Sequence, residues 1–239
     1  MPISYLKSDS LKFVYFVTPK CACSSIKRAL LPQLLGERYS RFTVEIDDSE
    51  FDVHDFLRAR GANYLNKQQF QSRYLRGVFD DYLKFGFVRN PWDRLVSCYE
   101  SKVSTYGKDP DEMSYHPLKI GGGFEELIYL DMGFDRFARA VANIPDDYAN
   151  VHFISQYRIF FLSDDYRHPM HDFIGRFESL EVDFETILSQ INPDLGVKLP
   201  YHNIARRKEE SYRVYYTDEL RELISNRFSE DISRFGYEF

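Results

Sequence analysis

The chain lacks the marks of a membrane, fibrous or disulfide-built protein. No apolar run approaches the ~18 residues of a spanning helix, and Met1 to Phe13 hold no apolar core of the kind a secretory signal needs. The expectation is therefore a soluble, cytoplasmic protein without a membrane span. Three cysteines, Cys21, Cys23 and Cys98, are too few for a disulfide framework. Cys21 and Cys23 form C-x-C with no second pair or nearby histidine, which supports no zinc site, so reduced and partly buried thiols are expected. A basic excess is also missing: the net charge of −6 argues against a general nucleic-acid binder. No repeat and no low-complexity linker is present. Ordinary apolar and charged content excludes intrinsic disorder and coiled coil. At 239 residues the chain can bury roughly 70% of its unfolded surface, enough for a core without staples.

What is present is organised as strands feeding helices. Residues 1–40 carry six Lys and Arg against two acids, a local basic excess on an acidic protein. That imbalance points to a local anion site rather than a polyanion track. Thr43 to Phe56 hold six acids and no Lys or Arg, read as a solvated acidic face. Lys12 to Thr18, β-branched and aromatic, reads as a buried strand. After Pro19, Ser24 or Ser25 is placed to cap a helix with Ile26, Leu30 and Leu34 inward, which Pro32 kinks or ends early and Gly36 stops. A second strand–turn–helix unit follows: strand Leu83 to Val88, Asn90 as cap, Pro91 at the first helical position, and the stripe Trp92, Leu95, Val96, Tyr99 and Val103. Gly107 to Phe124, with two prolines and Gly121-Gly122-Gly123, reads as a mobile loop. Further helices are expected around Phe134 to Val141, Leu180 to Ile191 (after a short strand at Phe173 to Phe177) and from Thr217 onward. Strands alternating with helices predict a three-layer α/β/α domain with a mainly parallel sheet.

Two of the turns carry chemistry. In Thr18-Pro-Lys-Cys-Ala-Cys-Ser-Ser-Ile-Lys27, a turn between a strand end and a helix offers free backbone N–H groups to an oxyanion, with Lys20, Ser24, Ser25 and Lys27 adding charge and hydroxyls. The turn contains no glycine, so it is not the G-x-x-x-x-G-K-[ST] loop of nucleoside triphosphatases; an ordinary capped turn with surface lysines is the other reading. In the second turn, Arg89 stands at the carboxyl end of a strand, where open parallel sheets bind ligands. Arg94 and Ser97 share a helix face read as lying away from the apolar stripe. A salt bridge from either arginine to a nearby carboxylate is the alternative there.

These turns resemble the P-K-x-x-x-[ST]-x-x-K and x-V-R-[DN]-P-x-x-R-x-x-S-x-Y motifs of PAPS-dependent sulfotransferases. The likeness is greatest to the carbohydrate sulfotransferase branch that includes chondroitin and HNK-1 enzymes. Asp172 to Leu180 and Asp231 to Tyr237 resemble that branch too, so the likeness spans most of the chain. Two positions depart from the pattern: Ala22 stands where glycine is frequent and Asn90 where aspartate is. The resemblance implies a single sulfotransferase domain over 1–239, related in fold to P-loop kinases. The implied donor is 3′-phosphoadenosine 5′-phosphosulfate (PAPS), with product PAP and no metal. Carried over by position, Lys20, Ser24, Ser25 and Lys27 hold the 5′-phosphosulfate, and Arg89 and Ser97 the 3′-phosphate. Arg206, Arg207 and Lys208, after the family-like Leu199 to Asn203, form a basic cluster that either closes over the donor or is a solvated charge patch. Lys20 or Lys27 would stabilise charge on the leaving oxygen.

The acceptor, a hydroxyl expected on a glycan or glycoconjugate, needs a base, and histidine suits working pH. Of six histidines, His54 is the only one between the two donor motifs, as the base is in related 2-O-sulfotransferases, and Asp52 or Asp55 stands near to orient its ring. His152, in Asn150-Val-His-Phe-Ile-Ser-Gln156, resembles the branch motif H-W-x-P-Q and is the second choice. His116, His168, His171 and His202 are expected to be structural or exposed. Two other functions stay open: a non-catalytic module that binds PAP or a partner, and a P-loop kinase or nucleotidase.

Overall fold

A computed structural model describes residues 3–36, 52–104, 118–200 and 212–239. In chain order they form β1 (Ser4–Ser8), β2 (Phe13–Val17), α1 (Cys23–Ala29), α2 (Leu31–Leu35), α3 (Val53–Ala59), β3 (Tyr64–Asn66), α4 (Lys67–Tyr74), β4 (Leu83–Val88) and α5 (Pro91–Lys102). Then come α6 (Phe134–Asn143), α7 (Tyr157–Phe160), β5 (Phe173–Arg176), α8 (Leu180–Ile191), α9 (Asp218–Arg227) and α10 (Ser229–Phe235). These residues fall into two compact units. One, the sheet unit, takes 3–36, 52–88 and 159–200; the other, the helical unit, takes 89–104, 118–158 and 212–239.

The sheet runs β3-β1-β2-β4-β5. β2, β4 and β5 are parallel neighbours, while β1 is antiparallel to both β2 and β3, so β1 alone opposes the other four. The expected mainly parallel α/β sheet is what forms. Because side chains alternate along a strand, Phe13, Tyr15 and Val17 of β2 and Phe85 and Phe87 of β4 share one face. There they pack on Ile26 of α1, Leu31, Leu34 and Leu35 of α2, Val53 and Leu57 of α3, and Phe184 and Ile187 of α8. The opposite face is aromatic. Tyr5 stacks on Phe70 of α4 at 4.3 Å, and Phe16 lies 5.6 Å from Phe160 of α7. Each ring this deeply buried contributes about 2–3 kcal/mol. Two glycines make room for the rings: a Cβ on Gly86 would sit 2.6 Å from Phe160, and one on Gly175 would run into Phe87.

The expected first helix ends at Ala29, and Pro32 stands in the first turn of a separate α2 that Gly36 closes. Missing its N–H and crowding the preceding carbonyl, the proline breaks the run there. The expected Ser cap does not form: the cap position is Ala22, left-handed at φ 57°, with no side-chain hydrogen bond.

The helical unit has its own core of Trp92, Leu95 and Val96 from α5, Phe134, Phe137 and Val141 from α6, and Leu220, Ile224 and Phe228 from α9. Asn90 caps α5 by accepting from the N–H groups of Trp92 and Asp93. Thr217 caps α9 in the same way through Leu220. Half-buried Arg227 reaches Asp146 at 2.6 Å. Arg94 corrects the sequence reading. It is buried and gives its guanidinium to the carbonyls of Ile154 and Val151, at 2.7 and 3.2 Å, because the unit covers α5 on that face as well. Among the described residues no helix is long and apolar enough to cross a membrane.

Candidate functional site

In the sheet unit, β2 ends at Val17 and the chain turns through Thr18 to Ala22 into α1. The Cys21 N–H closes the turn on the Thr18 carbonyl at 3.3 Å. Lys20 and Ala22 both adopt left-handed backbone, φ 69° and 57°. Each costs a non-glycine residue on the order of 1 kcal/mol, a strain that concentrates at functional turns. Alternation of left- and right-handed residues is also the backbone form that gathers N–H groups into an anion-binding concavity. Ala22 therefore meets the backbone demand of a position where glycine is frequent, at a cost.

With the cap position taken by Ala22, Ser24 and Ser25 enter the first turn of α1. There Ser24 Oγ lies 3.0 Å from His54 Nε2, and Lys27 Nζ lies 2.7 Å from His54 Nδ1. Three residues singled out from the sequence, 30 positions apart at most, thus meet at one imidazole. His54 is presented by α3, whose start is fixed by Asp52 accepting the His54 N–H at 2.7 Å. Asp52 so positions the backbone, Asp55 pairs outward with Arg58, and the ring is held by Ser24 and Lys27. Lys27 is buried, its ammonium 5.4 Å from the Tyr64 ring centre.

The electrostatics follow from that burial. Desolvation depresses Lys27 to about 8; Cys23 and Asp52 oppose the shift and Arg58 adds to it. Burial pushes the Cys23 thiol up, but a hydrogen bond and charge from His54, then Lys27 and Lys20, outweigh it and bring the thiol down to about 6. Cys23, read from sequence as one of three reduced, partly buried thiols, is thus part of the cluster. Thr18 Oγ1 and the Tyr15 and Tyr64 hydroxyls are buried without hydrogen-bond partners.

In the helical unit, Arg89 directly follows β4. It is buried, and its Nε donates to Asp93 at 2.8 Å, the carboxylate pairing weighed as an alternative from the sequence. Ser97 is half-buried two turns along α5. Gln156, fully buried, accepts from the Arg89 N–H at 3.0 Å and donates to the Arg89 carbonyl at 2.9 Å. The Gln156 and Tyr157 N–H groups in turn donate to Asp231, whose carboxyl is raised by burial to about 6 against the pull of those two donors. His152 is half-buried. Its Nδ1 stands 2.6 Å from Asn150 Oδ1, while Asn150 Nδ2 donates to the Lys119 carbonyl. An acceptor at Nδ1 makes that nitrogen the donor and puts the ring lone pair on Nε2. Sequence reasoning missed Gln156 as the partner of Arg89 and Asp231 as the anchor of Gln156, although both lie in segments singled out for family likeness.

His168 is an exposed neighbour of Asp165, and His171 packs edge-on against Phe160 and Phe161. Arg206, Arg207, His116, His202 and residues 107–117 of the expected loop lie outside the described residues. Among the described residues no group of three or more His, Cys, Asp or Glu could hold a metal ion.

Residues 4–238 match the family described as "Sulfotransferase family", and the chain belongs to it. The match runs through both units. The chain is similar to carbohydrate sulfotransferase 14 of Mus musculus, 25% identical over 97% of this chain and 59% of the relative. It is also similar to carbohydrate sulfotransferase 11 of Mus musculus, 26% identical over 86% and 58%, and to carbohydrate sulfotransferase 12 of Xenopus laevis, 25% identical over 96% and 59%. These relatives bear out the resemblance to the carbohydrate branch. The chain spans about three-fifths of the length of the curated relatives it matches. No solved structure is a significant match.

Proposed function

We propose that the protein moves the sulfuryl group of PAPS to a hydroxyl of a glycan or glycoconjugate. Family membership supports the reaction class, and relatives named carbohydrate sulfotransferases support the acceptor class. The observation that carries the reading is the meeting of Ser24, Lys27 and His54 at the strained turn after β2.

The turn suits a phosphosulfate: two lysines, two serine hydroxyls and left-handed backbone at 20 and 22 all favour an anion. The donor brings the sulfuryl group and a bisphosphate leaving group. Lys20 and Lys27 set positive charge against the bridging oxygen, where negative charge grows as the S–O bond breaks. At about 8, Lys27 stays mostly protonated at neutral pH and is a better proton donor than an ordinary lysine. Ser24 and Ser25 hydrogen-bond the phosphosulfate, and Arg89 and Ser97 take the 3′-phosphate. Arg206 and Arg207 are assigned to the donor on the family likeness alone.

His54 receives the acceptor's proton. While Lys27 donates to Nδ1, the ring hydrogen lies on Nε2, facing Ser24. When Lys27 turns to the leaving group, the Nδ1 lone pair that accepted from it is freed, so donor binding unmasks the base. A second reading has His152 as the base, favoured by the Asn150 contact that leaves Nε2 as the basic nitrogen.

Transfer from labelled PAPS to a panel of glycan and small-alcohol acceptors tests the function. Lys20→Ala and Arg89→Ala should abolish transfer in folded protein; normal turnover by both overturns the reading. His54→Ala should lower kcat by about 10² or more with PAP affinity kept. Unchanged turnover there, with loss in His152→Ala, moves the base to His152.

A further inference from the structure

Arg89 is held at more points than a surface salt bridge requires. It follows the last residue of β4, and its N–H and C=O are both met by one side-chain amide, that of Gln156, at 3.0 and 2.9 Å. A glutamine here takes the part of a neighbouring strand, forming the two-bond exchange a sheet ladder would make. The amide has little freedom to swing away. Gln156 is fully buried, its own N–H donates to Asp231 at 2.7 Å, and its Nε2 lies 3.4 Å from the same carboxylate oxygen. Asp231 is anchored a second time by the Tyr157 N–H at 2.8 Å. At the other end of Arg89, Asp93 fixes the guanidinium through Nε at 2.8 Å, an edge separate from the two terminal nitrogens that make the fork for a phosphate.

Backbone and side chain are thus clamped independently. A planar fork recognises a phosphate strongly only when its orientation is set beforehand. The geometry points to Gln156, anchored on Asp231, as the positioning residue that sets Arg89 for the 3′-phosphate of the donor and so determines selection of 3′-phosphorylated over 3′-hydroxyl nucleotides. This rests on the assignment of Arg89 to the 3′-phosphate.

Calorimetric titration of the full chain with PAP and with adenosine 5′-monophosphate, which lacks the 3′-phosphate, tests it. The ratio of the two affinities is the readout, because reduced stability or a smaller folded fraction moves both ligands together. Gln156→Met keeps the length and removes both bonds to Arg89; Gln156→Glu keeps an acceptor for the Arg89 N–H and loses the donor to its carbonyl. The ratio should fall about tenfold in Gln156→Met and less in Gln156→Glu, through weaker PAP binding with monophosphate binding unchanged. If Gln156→Met does not fold, Gln156→Glu carries the test. A ratio unchanged in the folded Gln156 variants, while Arg89→Ala collapses it, overturns the positioning role. A wild type that does not prefer PAP overturns the Arg89 assignment itself.

Discussion

Replacing His54 by alanine should restore an ordinary thiol at Cys23. Burial alone pushes that thiol up; the interactions that reverse the effect come first from the His54 ring and only then from Lys27 and Lys20. The net displacement, from 9.0 to about 6, amounts to roughly 4 kcal/mol at about 1.4 kcal/mol per unit. Because the folded value lies below the unfolded one, the native state sheds this proton first. The thiol then contributes stability that is fully present above about pH 9 and is lost as pH falls through 6, with a slope from this group of at most about 1.4 kcal/mol per pH unit. Thiolate absorbance near 240 nm, followed in a Cys21→Ser, Cys98→Ser background so that one thiol is seen, should rise with a midpoint near 6. In His54→Ala the midpoint should move to 9 or above, and the growth of denaturant stability between pH 6 and 9 should flatten. A midpoint unmoved by His54→Ala would refute the placement of that ring against Cys23, and with it the cluster from which the proposed chemistry is built.

Two further perturbations probe the frame. Ala22→Gly relieves left-handed backbone at φ 57°, worth about 1 kcal/mol, offset in part by the entropy glycine adds to the unfolded chain. A rise of about 1–3 °C in Tm is expected, and a fall in a thermal melt would mean the methyl is packed rather than strained. Gly175→Ala drives a Cβ into the Phe87 ring and against Asp183, and should cost about 1–3 kcal/mol in a urea titration. Wild-type stability would show that β5 is not seated beside β4 as described.

The elements that could be read from the chain are those whose residues carry a strong local signal. β2 is an unbroken β-branched and aromatic run, β4 is an apolar run interrupted by Lys84 and Gly86, and α5 announces itself with Asn90, Pro91 and a stripe at helical spacing. What escaped has weak patterning. β1 is five residues with mixed polarity, β3 is three residues, and α4 buries one apolar side chain, Phe70, so it shows no stripe at all. α3 hides inside an acidic segment and shows its helical nature only through the Asp52 cap and buried Val53 and Leu57. The site divides in the same way. The residues of the turn after β2 were readable because its lysines and serines lie close together in the chain, between a strand signal and a helix signal. The approach of His54 to Ser24 and Lys27 was not, since it depends on where the fold puts α3. Arg94 was misread because helical spacing shows which residues share a face but not how much of the helix its neighbours cover. Gln156 and Arg89 meet across 67 positions, a distance over which no local pattern carries information.

The strand order has a consequence for how the chain behaves in crowded solution. Among the described residues the sheet is bounded by β3, three residues long, and β5, four residues long, while its longer strands lie inside. Such stubs offer few unpaired amides to a neighbouring molecule, and short margins are one of the ways natural sheets avoid joining edge to edge. The strongly apolar segment 13–17 and the phenylalanine-bearing segment 83–88, which would be hazards at a margin, are flanked on both sides by other strands, so exposing them as templates for fibre growth requires unzipping the sheet first.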